Sequence, residues 1–131
     1  MAYKSYKKQV KERMREAGLI ALEAVGLEAQ RDVSIKITDN GQVDTGRMRA
    51  SITYITGDRV GDIRPDKNGV THNEDRPRGK LKDNVLHIGT NVNYAIWQEK
   101  KIPFLEVTII KNMVKYQNMI SQIYAKIMNR G

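Results

Sequence analysis

The chain has 131 residues, no cysteine, and 23 Lys+Arg against 15 Asp+Glu, a formal net charge of +8. The length suits one domain, 1–131, with one modest core. Disulfides and thiolate metal sites are excluded, no apolar run approaches the ~20 residues that span a bilayer, and MAYKSYKKQVKERMREAG lacks the apolar core of a signal peptide.

The first element is a long amphipathic helix. Tyr6, Val10, Met14, Ala17, Ala21, Ala24 and Leu27 recur at steps of three or four, with Lys, Arg and Glu on the other face. Its end admits two readings. Val33, Ile35 and Ile37 alternate as in a strand, yet Val33 and Ile37 are also four apart, as in a helix; Asp39-Asn40-Gly41 stops either one. A helix from about residue 4 to 35 would be roughly 45–50 Å long, enough to pack across several elements or onto a neighbouring subunit. Ser51–Thr56 then reads as a strand, Gly57-Asp58 as a turn, and 59–64 as a hairpin partner. Residues 65–83, rich in Pro, Gly and charge, read as a long exposed loop or hairpin tip. Asn84–Thr90 reads as the next strand and Tyr94–Lys100 as a short helix. Pro103 suits the first turn of a second long amphipathic helix, whose buried stripe is Phe104, Val107, Ile110, Met113, Val114, Ile120, Tyr124, Ile127 and Met128. The layout predicts an α+β fold: long helix, small antiparallel sheet with a long loop, long helix.

The triplet Asp44-Thr45-Gly46 matches the catalytic triplet of aspartic proteases. Such an enzyme needs two carboxylates sharing a proton at the end of an apolar strand. Here the preceding residues are polar, Arg47 and Arg49 would hold a carboxylate pair ionised, and two long helices leave too little chain for the barrel. Leu86-His87-Ile88-Gly89 is the one feature in the protease's favour. The alternative is structural: Asp44 and Thr45 cap a short turn, Gly46 relieves crowding, and Arg47 and Arg49 project to meet carboxylates or phosphates. His72 in the loop and His87, read as half-buried and neutral, have no companions at metal-ligand spacing. No phosphate-binding glycine loop and no Ser/His/Asp arrangement is present. The sequence therefore implies no cofactor, no metal and no catalytic residue. Trp97, the one tryptophan, lies near Tyr94 and Phe104. It reads either as a core residue where the last helix joins the sheet or as an anchor between subunits.

Three segments taken together resemble the tail-completion, or head–tail joining, family of tailed bacteriophages. They are Val43-Asp44-Thr45-Gly46-Arg47-Met48-Arg49-Ala50-Ser51-Ile52; Ile88-Gly89-Thr90-Asn91-Val92-Asn93-Tyr94-Ala95 with Glu99; and Pro103-Phe104-Leu105. The family pairs a long N-terminal helix with V-D-T-G-R-L-R-x-S-I, then a strand and Y-A-x-x-x-E, then P-F-L before a C-terminal helix. The chain departs where Lys100-Lys101-Ile102 runs straight into Pro103, where Glu106-Val107-Thr108 follows, and where Met48 replaces Leu. The resemblance implies a structural virion protein. It would form a homo-oligomeric ring, typically six-fold, between the head connector or stopper protein and the tail tube or tail terminator. It would lie in the neck of the virion, and in the host cytoplasm before assembly, with no membrane partner. On this reading Asp44, Thr45 and Gly46 shape a turn; Arg47, Arg49, Tyr94, Trp97, Glu99 and Phe104 are interface candidates; and Lys80 and Lys82 lie in the loop expected to dock.

The charge excess sits at the two ends. Residues 1–15 hold six basic and one acidic residue, residues 98–131 six and two, and residues 57–83 seven and six. Solvated helix faces, a lining for DNA crossing the ring, and pairing with acidic rims of neighbouring proteins all fit that placement. The competing class is a small basic nucleic-acid-binding module, with YAIWQEKKIPF supplying aromatics among lysines. A minor capsid or tail-terminator role is a further alternative.

Overall fold

The computed structural model describes residues 2–42, 46–77, 84–92 and 94–129, with side chains from Lys8 onward. Four residues singled out above, Asp44, Thr45, Lys80 and Lys82, lie outside the described residues.

Helix α1 runs from Ala2 to Asp39, 38 residues, or about 57 Å. It contains no proline, and its Ala, Leu, Lys, Arg and Glu are strong helix formers. The strand pattern at 33–37 gives way to helix because Val33 and Ile37 fall on the same face and are wholly buried, while Ile35 points outward. Gly41, at φ 71, ends the helix in the left-handed conformation. From Lys8 to Glu16 the helix stands largely exposed, and Met14 and Leu27 face solvent instead of joining the buried stripe expected of them.

Helix α2 (Arg47–Ser51) follows. Strand β1 (Thr53–Thr56) is the buried centre of a three-stranded antiparallel sheet, flanked by β2 (Arg59–Val60) and β3 (Leu86–Gly89). Ile55 faces Val60 on one side, and Tyr54 faces Ile88 on the other. The strand expected from residue 51 starts later because Ser51 closes α2. Helix α1 lies on β1, and Gly26 permits it: a Cβ there would stand 2.6 Å from Tyr54 Cγ. Gln30 pins the same contact, its Nε2 donating to the carbonyls of Ile52 at 2.8 Å and Asp62 at 3.0 Å.

The C-terminal half holds α3 (Ala95–Lys101), α4 (Glu106–Lys111) and α5 (Met113–Met128). The single long helix expected after Pro103 is therefore two helices. Pro103 stands before the first of them, which starts at Glu106. The break falls at Asn112, whose Nδ2 donates to the Thr108 carbonyl at 2.8 Å, a side-chain competition for backbone groups that loosens helices. The expected buried stripe is corrected as well. Phe104 is buried, but Val107, Ile110, Met113 and Val114 are exposed, and Thr108 and Tyr116 take the inward positions.

Two apolar clusters share α1. Val33, Ile37, Met48, Ile52, Val92, Ala95 and Phe104 form one. Val25, Ala29 and Tyr116 form the other, with Ile88 and Ile109 packed against both. Tyr116 donates to Asp32 at 2.7 Å, and Lys115 reaches Asp32 at 2.8 Å and Glu28 at 3.2 Å, so α5 is fixed to α1 by polar as well as apolar contacts. The architecture is α+β. Among the described residues no helix is long and apolar enough to cross a membrane.

Candidate functional site

The three segments of the resemblance meet at one place. Met48 and Ile52 from the first, Val92 and Ala95 from the second, and Phe104 from the third pack together on Val33 and Ile37 of α1. Polar bonds tie the same segments. Ser51 and Thr90 share a hydroxyl–hydroxyl bond of 2.5 Å, and Thr90 Oγ1 accepts the Val92 N–H at 3.0 Å. Glu99 Oε2 accepts the N–H groups of Phe104 at 3.2 Å and Leu105 at 2.9 Å. A carboxylate placed there satisfies donors just ahead of α4, as an N-terminal cap does.

Gly46 opens α2 at φ 82, a left-handed conformation that costs other residues ~1–2 kcal/mol. Arg47 then turns onto the 65–83 segment. Its Nε donates to Asp75 Oδ2 at 2.6 Å and its Nη2 to Asp75 Oδ1 at 2.8 Å, with Glu74 Oε1 at 3.3 Å. The bond to Asp75, opposed by some desolvation, raises the guanidinium pKa further above its ordinary value. Arg47 is thus a fastening within the chain rather than a projecting contact. Asp75 is buried, and its carbonyl accepts the Asn91 N–H at 2.7 Å, joining the segment to the second motif. The described part of the expected exposed loop is therefore anchored. Asp66 folds its start, accepting N–H groups of Asn68 at 2.8 Å and Val70 at 3.0 Å and pairing with His72 at 2.8 Å. The His72 bond, with those N–H groups, holds the Asp66 carboxyl below its usual range. His87 is exposed, not half-buried.

The remaining candidates separate. Arg49 donates to Thr38 Oγ1 at 3.1 Å on the opposite side of α2. Tyr94 is exposed. Trp97 is 64% exposed, with Lys100 Nζ 5.1 Å from its ring centroid. The expectation of a core tryptophan fails because Phe104 fills the place where the C-terminal helices join the core. With Ile96 on α3 and Ile102 just past its end, Trp97 is one of three exposed apolar side chains in this stretch. A second exposed apolar face runs along Val107, Ile110 and Val114. Such patches mark interaction sites when contiguous.

Among the described residues Glu99 is committed to backbone donors and Asp75 to Arg47, and no three His, Cys, Asp or Glu stand close enough to hold a metal ion. Asp75 went unnoticed in the sequence because its partner lies 28 positions away. Gln30 carried a weak signal, being polar on an otherwise small and apolar face. No family model, curated protein or solved structure matches the chain.

Proposed function

We propose that the chain is a structural virion protein, a ring subunit at the head–tail junction of a tailed bacteriophage that completes the tail and receives the head connector. The observation that supports this reading is the convergence of the three motif segments on one core cluster. Residues that could pass for a catalytic or binding signature serve instead to build the fold: Gly46 as the turn, Arg47 as the fastening to Asp75, Glu99 as the cap before α4. What is left over is an assembly surface: the exposed 8–16 stretch of α1, the exposed side chains around Trp97 and the Val107–Val114 face. A ring made of head-to-tail contacts needs two such unlike surfaces on every subunit. The test is electron microscopy of particles from a phage lacking the gene. DNA-filled heads beside free, full-length tails support the joining role; immature heads or intact infectious phage overturn it.

A second reading, binding of single-stranded nucleic acid, draws on exposed Trp97 beside Lys100. Base stacking on such a residue is sequence-tolerant and salt-dependent. Quenching of the one tryptophan by an oligonucleotide, relieved by salt, would favour it.

A further inference from the structure

The side of the molecule where α1 passes α2 and α4 carries two adjoining grooves. One, of about 370 Å³, is lined by Arg31, Ser34, Thr38, Arg49, Arg64 and Pro65, among others. The other, of about 190 Å³, is lined by Asp32, Lys36, Val107 and Lys111, among others. Ile35 and Asp39 line both. Ile35, 47% exposed, therefore stands between them, with Val107 also exposed across the second groove.

The charge around this apolar centre is one-sided. Arg31, Arg49, Arg64, Lys36 and Lys111 surround it, and none of them forms an ion pair with a described carboxylate. Of the two acids present, Asp32 is taken by Lys115 and Tyr116, which leaves Asp39. Elsewhere on the molecule the cations Arg47, Arg59 and Lys115 all have carboxylate partners at 3.3 Å or less. Arg31, Arg49 and Arg64 thus stand together beside an exposed isoleucine, with Val107 across the second groove.

The geometry points to a docking site for an acidic segment of a partner protein, one with an apolar side chain among its carboxylates. The guanidinium fork matches a carboxylate in two-point bonding. The apolar side chain would cover Ile35 and Val107, which water otherwise wets. A nucleic acid fits less well. No aromatic lines either groove for base stacking, and a phosphate backbone brings nothing apolar to place on Ile35. The inference stands on these grooves alone and is independent of the ring assignment.

The test is fluorescence anisotropy on the full chain with three labelled probes: a peptide of glutamates around one leucine, the same peptide with glutamines for glutamates, and a duplex DNA. The glutamate peptide should bind more tightly than the glutamine one. Arg31→Gln, Arg49→Gln and Arg64→Gln should each weaken it about twofold to fivefold, the range of exposed ion pairs. Ile35→Asn should weaken it about fivefold without changing its salt dependence. Melting temperatures of these surface variants, expected within ~2 °C of the parent, separate lost binding from lost folding. Equal binding of the two peptides, or indifference to the arginine changes, overturns the proposal. So does tighter, arginine-dependent binding of the DNA, which would make the surface a phosphate site.

Discussion

Replacing Arg47 with Met removes the guanidinium that fastens the 65–83 segment to α2. The two bonds measure 2.6 and 2.8 Å, and the side chains are 36% exposed for Arg47 and 3% for Asp75. The loss is felt at Asp75, which stays buried without its donors. Leaving a buried acceptor unsatisfied costs about 1–3 kcal/mol, or a melting temperature lower by about 3–12 °C for a chain of this size. Glu74, two-thirds exposed, adds little. Urea unfolding followed by circular dichroism measures the loss. Arg47→Lys, which keeps the charge but not the fork, should cost less than Arg47→Met. Pairing Arg47→Met with Asp75→Leu should recover at least half of the single-variant loss, because no charge then remains buried. A cost under about 1 kcal/mol for Arg47→Met would refute the reasoning, since Asp75 would have to be solvated without its partner.

Glu99→Ala should lower stability by about 1–2 kcal/mol, the scale of a lost cap, with amide exchange at Phe104 and Leu105 accelerated in NMR. Gly26→Ala sets a methyl group against the Tyr54 ring and should cost about 1–3 kcal/mol in the same urea assay. Trp97→Ala, at an exposed site, should leave melting within ~2 °C of the parent yet shift the sedimentation profile toward smaller species if α3 faces another subunit. Alkaline titration should expose two tyrosines. Burial, with Glu23 nearby, raises Tyr54 to about 12, and burial with the Asp32 bond raises Tyr116 as well, from an ordinary value of 10.0. The folded chain therefore holds these protons more tightly than the unfolded one. Their contribution is complete below pH 10 and is lost as pH rises toward 12; melting temperatures should fall across that window, and less steeply in Tyr54→Phe.

The long helices and the places of β1 and β3 in the chain were legible because periodicity and turn residues are local signals; α2 and the break between α4 and α5 were not. The ambiguity at 33–37 was resolved by packing: Val33 and Ile37 have Met48, Ile52 and Phe104 to meet. The C-terminal stripe was read with the right period but faces the core only in part: Phe104 is buried and Ile120 packs against the second cluster, whereas its middle is exposed. Val107, Ile110 and Val114 are apolar and helically spaced, but no described residue covers them, and Thr108 and Tyr116 take the inward positions with hydrogen bonds that hydropathy does not register. Trp97 misled for the same reason. The Arg47–Asp75 pair and the arginine grooves were not legible, since each is assembled from positions far apart in the chain.

The polar contacts between α1 and α5 join residues 83 to 87 positions apart. During synthesis at about 5–20 residues per second, the Val25–Ala29 face of α1 therefore waits several seconds for Tyr116 to leave the ribosome. Closing so long a loop must precede the contacts that reward it, which slows folding. A nascent chain stalled before α5 can form the Val33–Phe104 cluster but leaves Val25 and Ala29 without Tyr116, an apolar helix face open to chaperones.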